Sequence, residues 1–120
     1  MAQIQKLRLN KEFKRLYYSG SFLTHPLLIC YLKKNRRPVN RIGITTSKKV
    51  GNAVHRNRAR RIILAAYRAL SPELPCGYDM VFVARDRTPQ AKSTELLPVM
   101  RNQLHKLMAQ PDRKPGRKSR

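Results

Sequence analysis

Residues 41 to 70 read RIGITTSKKVGNAVHRNRARRIILAAYRAL, and this stretch changes its period partway along. At its start Ile42, Ile44 and Thr46 alternate with Gly43, Thr45 and Ser47, the two-residue repeat of a strand. From Asn52 to about Leu70 the apolar residues Ala59, Ile62, Ile63, Ala66 and Leu70 form one stripe at helical spacing, with Pro72 beyond the end. On that helix Asn57, Arg60, Arg61 and Arg68 fall opposite the apolar stripe, while Arg56 and Arg58 flank it. The core anchors one side and leaves the other basic. A solitary arginine is an ordinary solvated charge, but Arg56, Arg58, Arg60 and Arg61 lie within six residues with no acidic residue nearby, so they repel one another unless a polyanion is present. Guanidinium groups bind phosphate through paired N–H bonds, and a helix N-terminus adds free backbone N–H groups and a partial positive charge.

Working outward, residues 11 to 19 read as a short helix. Asn10 serves as its N-cap, Glu12 lies in its first turn and Gly20 stops it, with Phe13, Leu16 and Tyr17 on one face. Phe22 to Thr24 suits a short edge strand, because Pro26 interrupts it. The following LLICYLKK is a stronger strand with Leu28, Cys30 and Leu32 on one side and Leu27, Ile29 and Tyr31 on the other. NRRPVN is a loop by composition, so this strand and RIGITTS are expected to pair as an antiparallel hairpin. YDMVFVAR is a nearly continuous apolar run, as in a central strand covered on both faces. Residues 93 to 108 close the domain as a helix carrying Leu96, Val99, Met100, Leu104 and Leu107, with Pro98 expected in its first turn. The order predicts an α+β fold, a two-layer sandwich of helices on a mixed sheet. It occupies residues 1–108, and residues 109–120 are expected to form a basic disordered tail.

Charge says most about partners. Lys and Arg number 27 against 6 Asp and Glu, a net +21, which destabilises a small folded domain unless a polyanion offsets it. Nucleic acid fits, since each neutralised phosphate releases condensed counterions. No run of about 20 apolar residues spans a bilayer, and MAQIQKLRLN lacks the apolar core of a signal peptide, so a cytoplasmic location without a membrane partner is expected. Cys30 and Cys76 lack a C-x-x-C spacing and read as small, partly buried residues.

The string SKKVGNAVHRNRARR, residues 47–61, resembles the signature of the bacterial ribonuclease P protein subunits, whose hallmark Arg-Asn-Arg stands here as Arg56-Asn57-Arg58. KEFKRLYYSG, RIGITTSKK and YDMVFVAR also occur in that family's order, so the likeness covers roughly residues 6 to 108. The resemblance implies an α-β-β-β-α-β-α domain with a mixed four-stranded sheet and a left-handed β-α-β crossover. It implies that Lys48, Lys49, Asn52, Arg56, Asn57, Arg58, Arg60 and Arg61 contact the catalytic RNA subunit. It further implies that Phe13, Tyr17 and Tyr31 line a cleft for the single-stranded 5′ leader of precursor tRNA, where aromatic faces stack unpaired bases without demanding a sequence. Spacing alone leaves Phe13 and Tyr17 equally readable as core residues, and Tyr18 and Tyr67 as either stacking or packing aromatics. Leu64 departs from the family, which often carries a basic residue there.

Glu12, Glu73, Asp79, Asp86, Glu95 and Asp112 are scattered, and His25, His55 and His105 have neither zinc nor acid–base spacing. No catalytic or metal-binding residue is therefore expected on the chain. The resemblance implies that endonucleolytic removal of the leader occurs on Mg²⁺ held mainly by the RNA subunit, with no obligate protein partner. Similar size and charge also suit a ribosomal-RNA-binding structural protein, the alternative reading. A DNA-reading helix-turn-helix lacks its partner helix and tight turn.

Overall fold

The structure, a computed structural model, describes residues 5–8 and 10–110. In chain order the elements are β1 (Gln5–Lys6), α1 (Asn10–Ser19), β2 (Ser21–His25), β3 (Leu28–Lys34), β4 (Arg41–Thr45), α2 (Ala53–Leu70), β5 (Tyr78–Ala84) and α3 (Ser93–Ala109). Short 3-10 turns precede α2, follow it and precede α3. Most of the expected tail lies outside the described residues.

The strands form one mixed sheet in the order β1-β4-β5-β3-β2. The apolar β5 takes the centre, antiparallel to β3 and parallel to β4, with Met80, Val81 and Phe82 buried. This corrects the expected hairpin of β3 with β4, because β5 lies between them. Its run is apolar on both faces and gains most from the position shielded on both sides. The loop between β3 and β4 is held open to admit it: Asn35 N–H donates to Gly77 O, Asn40 Nδ2 donates to Pro75 O, and Tyr78 N–H donates to Asn40 Oδ1. The parallel β4–β5 pair joined through α2 is the β-α-β unit the resemblance implies, and the expected α+β class holds.

Two additions change its layering. β1 makes a fifth strand, parallel to β4, with Leu7 N–H donating to Ile42 O at 2.8 Å. The three helices also divide between the faces. Leu28, Cys30, Leu32, Ile42, Met80 and Phe82 point into a core with α2 and α3, where Ala59, Ile63, Leu70, Leu96, Met100 and Leu104 meet them. Val81, with Leu7 and Leu16, builds a smaller cluster on the opposite face, under α1. The helices therefore sandwich the sheet, fully on one face and partly on the other.

Asn10 already belongs to α1, and Glu12 caps the helix entrance by accepting from Arg8 N–H at 3.0 Å. Pro98 lies in the second turn of α3 rather than its first, since the helix begins at Ser93. Proline there forgoes a backbone bond, and packing of Leu96, Met100, Leu104 and Leu107 offsets the loss. Gln103 is buried on the same helix and ties it to the β2–β3 hairpin: its Nε2 donates to Leu28 O and Leu23 O, and its Oε1 accepts from the Cys30 thiol. Burial pushes that thiol's pKa well up, which suits an inert core residue; Cys76, by contrast, is exposed rather than partly buried.

Candidate nucleic-acid interface

The approach to α2 is built by its own sequence. Ser47 opens a 3-10 turn over Lys48–Val50, and Gly51 closes it at φ 135°, a conformation that side chains other than glycine's rarely adopt. Asn52 then caps α2, its Oδ1 accepting from His55 N–H at 3.0 Å and lying 2.8 Å from His55 Nδ1. Its carbonyl oxygen is thus occupied, leaving the amide N–H groups for a ligand.

The motif cations fall into two kinds. Arg56 donates to Gly51 O at 3.0 Å, and Arg60 reaches the end of β4 beyond its pairing with β1, donating to Ile44 O at 3.3 Å and Thr46 Oγ1 at 3.2 Å. These two shape the protein as well as charging it. Lys48, Lys49, Asn57, Arg58 and Arg61 are exposed, and no carboxylate among the described residues pairs with any of the five. Ile62 and Leu64 are partly buried against the main core, so the basic side rests on well-seated packing.

On the opposite face of the sheet the register sets Gly43, Val81, Tyr31 and Phe22 side by side across four strands. Helix α1 crosses this row. The Phe13 ring lies against Gly43, where an added Cβ would collide with it, and Leu16 is buried in the Val81 cluster. Tyr17 meets Tyr31 edge to face with centroids 4.9 Å apart. The structure thus gathers Tyr17 and Tyr31, and places Phe13 one turn earlier on α1, partly buried against Gly43 and the Val81 cluster. Phe22, absent from the expected set, stacks on Tyr31 at 5.2 Å and 25°. Its signal was available in the pairing of two strands across Pro26, which sets Phe22 opposite Tyr31. Tyr67 is buried against Phe82 and belongs to the core, whereas Tyr18 is 58% exposed.

Arg41 seats α1 on the sheet. Its guanidinium donates to both oxygens of Asp79, at 2.9 and 2.7 Å, and to Glu12 Oε2 at 2.8 Å. Asp79 first, through its hydrogen bonds, and Glu12 after it hold the Arg41 pKa above its ordinary value. Asn35 Nδ2 donates to the same Asp79 carboxylate at 2.8 Å. Burial, and secondarily Tyr17, raise the Tyr31 pKa, so its ring stays neutral.

The two sides meet. A groove of about 330 Å³ is lined by Phe13 and Gly43 from the aromatic side and by Arg60, Arg61 and Leu64 from α2. A flexible polyanion could run from cations to rings without leaving the surface. Leu64 makes the wall apolar at its turn of α2. Elsewhere Glu73 pairs with Arg101 at 2.8 Å, and Glu95 accepts from Lys92 N–H at 2.7 Å. Among the described residues, no group of three or more His, Cys, Asp or Glu side chains converges to hold a metal. No described helix is long and apolar enough to cross a membrane.

Comparison with known proteins agrees with this geometry. The family model described as Ribonuclease P matches residues 1–108. The ribonuclease P protein component of Clostridium botulinum (strain Loch Maree / Type A3) is 46% identical over 82 residues, 68% of this chain and 74% of the relative. That of Alkaliphilus oremlandii is 38% identical over 96 residues, 80% and 84% of the two chains. Among solved structures, the RNase P protein of Thermotoga maritima superposes with a TM-score of 0.66 at 26% identity, covering 86% of this chain and 94% of that one. The RNase P protein of Staphylococcus aureus gives 0.71 at 24%, covering 88% and 94%, a likeness of fold.

Proposed function

The chain belongs to the ribonuclease P protein family, and from that premise we propose how it acts as a subunit of ribonuclease P: α2 docks on the catalytic RNA, and the face beside α1 holds the 5′ leader of precursor tRNA. Family membership favours this over a ribosomal role. The observation that carries the division of labour is the pairing of unneutralised cations on α2 with exposed aromatic rings beyond a shared groove.

Each side suits one form of RNA. Arg58, Arg61, Lys48 and Lys49 present charge without a folded-base requirement, which suits the phosphates of a structured RNA; Lys48 and Lys49 extend the helix N-terminus. Rings with open faces suit unpaired bases, each stack contributing about 1–3 kcal/mol with little sequence preference. A protein that serves many tRNA precursors needs that tolerance.

Phosphodiester hydrolysis is assigned to the RNA subunit and to Mg²⁺ that it holds, a reading that rests on membership of the ribonuclease P family. The protein's part is to bind, orient and neutralise. Bringing two RNAs together raises phosphate repulsion, and a net +21 chain offsets it, lowering the Mg²⁺ needed. The setting is the bacterial cytoplasm.

The test is affinity for tRNA with and without a leader. With this chain added, a bacterial ribonuclease P RNA is expected to bind precursor tRNA more tightly than mature tRNA, by a margin the RNA alone lacks. An equal gain for both would remove the leader from the account.

A further inference from the structure

Tyr31 has little free face. Tyr17 covers it edge to face at 4.9 Å, and Phe22 stacks on it at 5.2 Å, so the middle ring of the three supports its neighbours. The outer two are open: Tyr17 and Phe22 are each 42% exposed. An exposed Phe on an edge strand is a liability for association, and a ring that served packing alone would be buried more fully. Thr24, next along the same face of β2, is also exposed, so no described residue closes over this end of the row. Lys33 lies on the Tyr31 face of β3, two residues along, and offers a cation for an adjoining phosphate.

We infer that Phe22 is a further stacking platform of the leader cleft, taking the base of a nucleotide more distant from the cleavage site than the one on Tyr17. The inference rests on the leader reading above. We place the leader nucleotides nearest the scissile bond by the groove that Arg60 and Arg61 line, because that groove adjoins the helix proposed to dock the catalytic RNA. The strand then crosses the sheet from β4 toward β2 and leaves over the β2 edge, where Phe22 stands. Tyr17 comes first on that path and Phe22 after it.

Leader length is the variable that reads this order. Precursor tRNAs with leaders lengthened one nucleotide at a time would be titrated against the complex of this chain with a bacterial ribonuclease P RNA. Phe22→Leu keeps an apolar contact on Tyr31 but removes the ring, and is expected to cost about tenfold in affinity for long leaders while leaving short leaders and mature tRNA unchanged. Phe22→Tyr keeps the ring and is expected to retain the affinity. Tyr17→Ala should weaken binding from shorter leaders onward. A 2-aminopurine placed at the distal position should be quenched with wild-type protein and brighter with Phe22→Leu. If Tyr17→Ala weakens leader binding and Phe22→Leu does so at no length, Phe22 is a packing residue and this inference falls alone. Should the wild-type complex show no leader preference, the leader reading falls and takes the inference with it. An equal loss for mature tRNA would also overturn the assignment of Phe22 to the leader.

Discussion

Helix α2 carries its cations on a surface that the core leaves alone, whereas the rings beside α1 are part of the packing that holds α1 in place. Arg58 and Arg61 are exposed and make no side-chain hydrogen bond or ion pair with the described residues, while Tyr17, Tyr31 and Phe13 support a helix of only ten residues on a partly covered face. A helix that short has little stability of its own. The two RNA-facing regions should therefore fail differently: substitutions on α2 should remove binding and spare the fold, and substitutions around α1 should do some of both.

The largest effect is expected at Arg41, where the separation can be broken. Removing its guanidinium leaves Asp79 buried without its cation and cuts the tie from Glu12 to the sheet, so Arg41→Ala is expected to lower unfolding stability by about 3 kcal/mol, read by urea denaturation. Leader affinity should fall with it, while affinity of the folded protein for the RNA subunit should hold. Unchanged stability would mean that α1 is seated by Leu16 and Phe13 alone.

The double variant Arg58→Ala, Arg61→Ala sharpens the contrast from the other side. Without these two guanidinium groups, each able to make a charge-assisted bond to phosphate, affinity for ribonuclease P RNA should drop about 100-fold and its salt dependence should flatten by roughly two phosphates' worth, with no change in the urea midpoint. Arg56 and Arg60 are less clean probes, since both also bind backbone carbonyls.

The smallest effect belongs to Arg101 and Glu73, an ion pair remote from both regions and open to solvent on both sides. Arg101→Ala should leave RNA binding and melting temperature within error. Arg101 holds the Glu73 carboxyl below its usual range, chiefly by hydrogen bonding. Any stabilisation from the pair is thus present above the unfolded carboxylate pKa and is lost as pH falls through the lower folded value. A melting temperature dependent on Arg101 near neutral pH would show the pair to matter more than its exposure allows.

The same contrast explains what could be read from the residues. The α2 region was legible because period and charge agree locally: the change of period after Ser47, the cluster of arginines and the stripe ending at Leu70 are all short-range signals. The α1 face depends on pairing between distant segments. β1 has only two residues and no periodicity to read, and β5 enters between β3 and β4 from about 30 residues downstream, so their loop looked like a hairpin. Phe22 was passed over although its strand partner lies close in sequence, across the β2–β3 turn. Its meaning comes from the partner across the strand, Tyr31, and from the helix beyond it. Asn52 and Arg60 were legible as polar residues of the motif, but not as a cap and an edge clamp.

The central claim is that this chain assists a catalytic RNA through the cations of α2. The most direct measurement is multiple-turnover cleavage of a precursor tRNA at low Mg²⁺ by a bacterial ribonuclease P RNA, alone, with wild-type protein, and with the Arg56→Ala, Arg58→Ala, Arg60→Ala variant. The account predicts that wild type restores cleavage, that the folded variant does not, and that neither protein cleaves without the RNA; cleavage by the protein alone, or equal rescue by the variant, would contradict it.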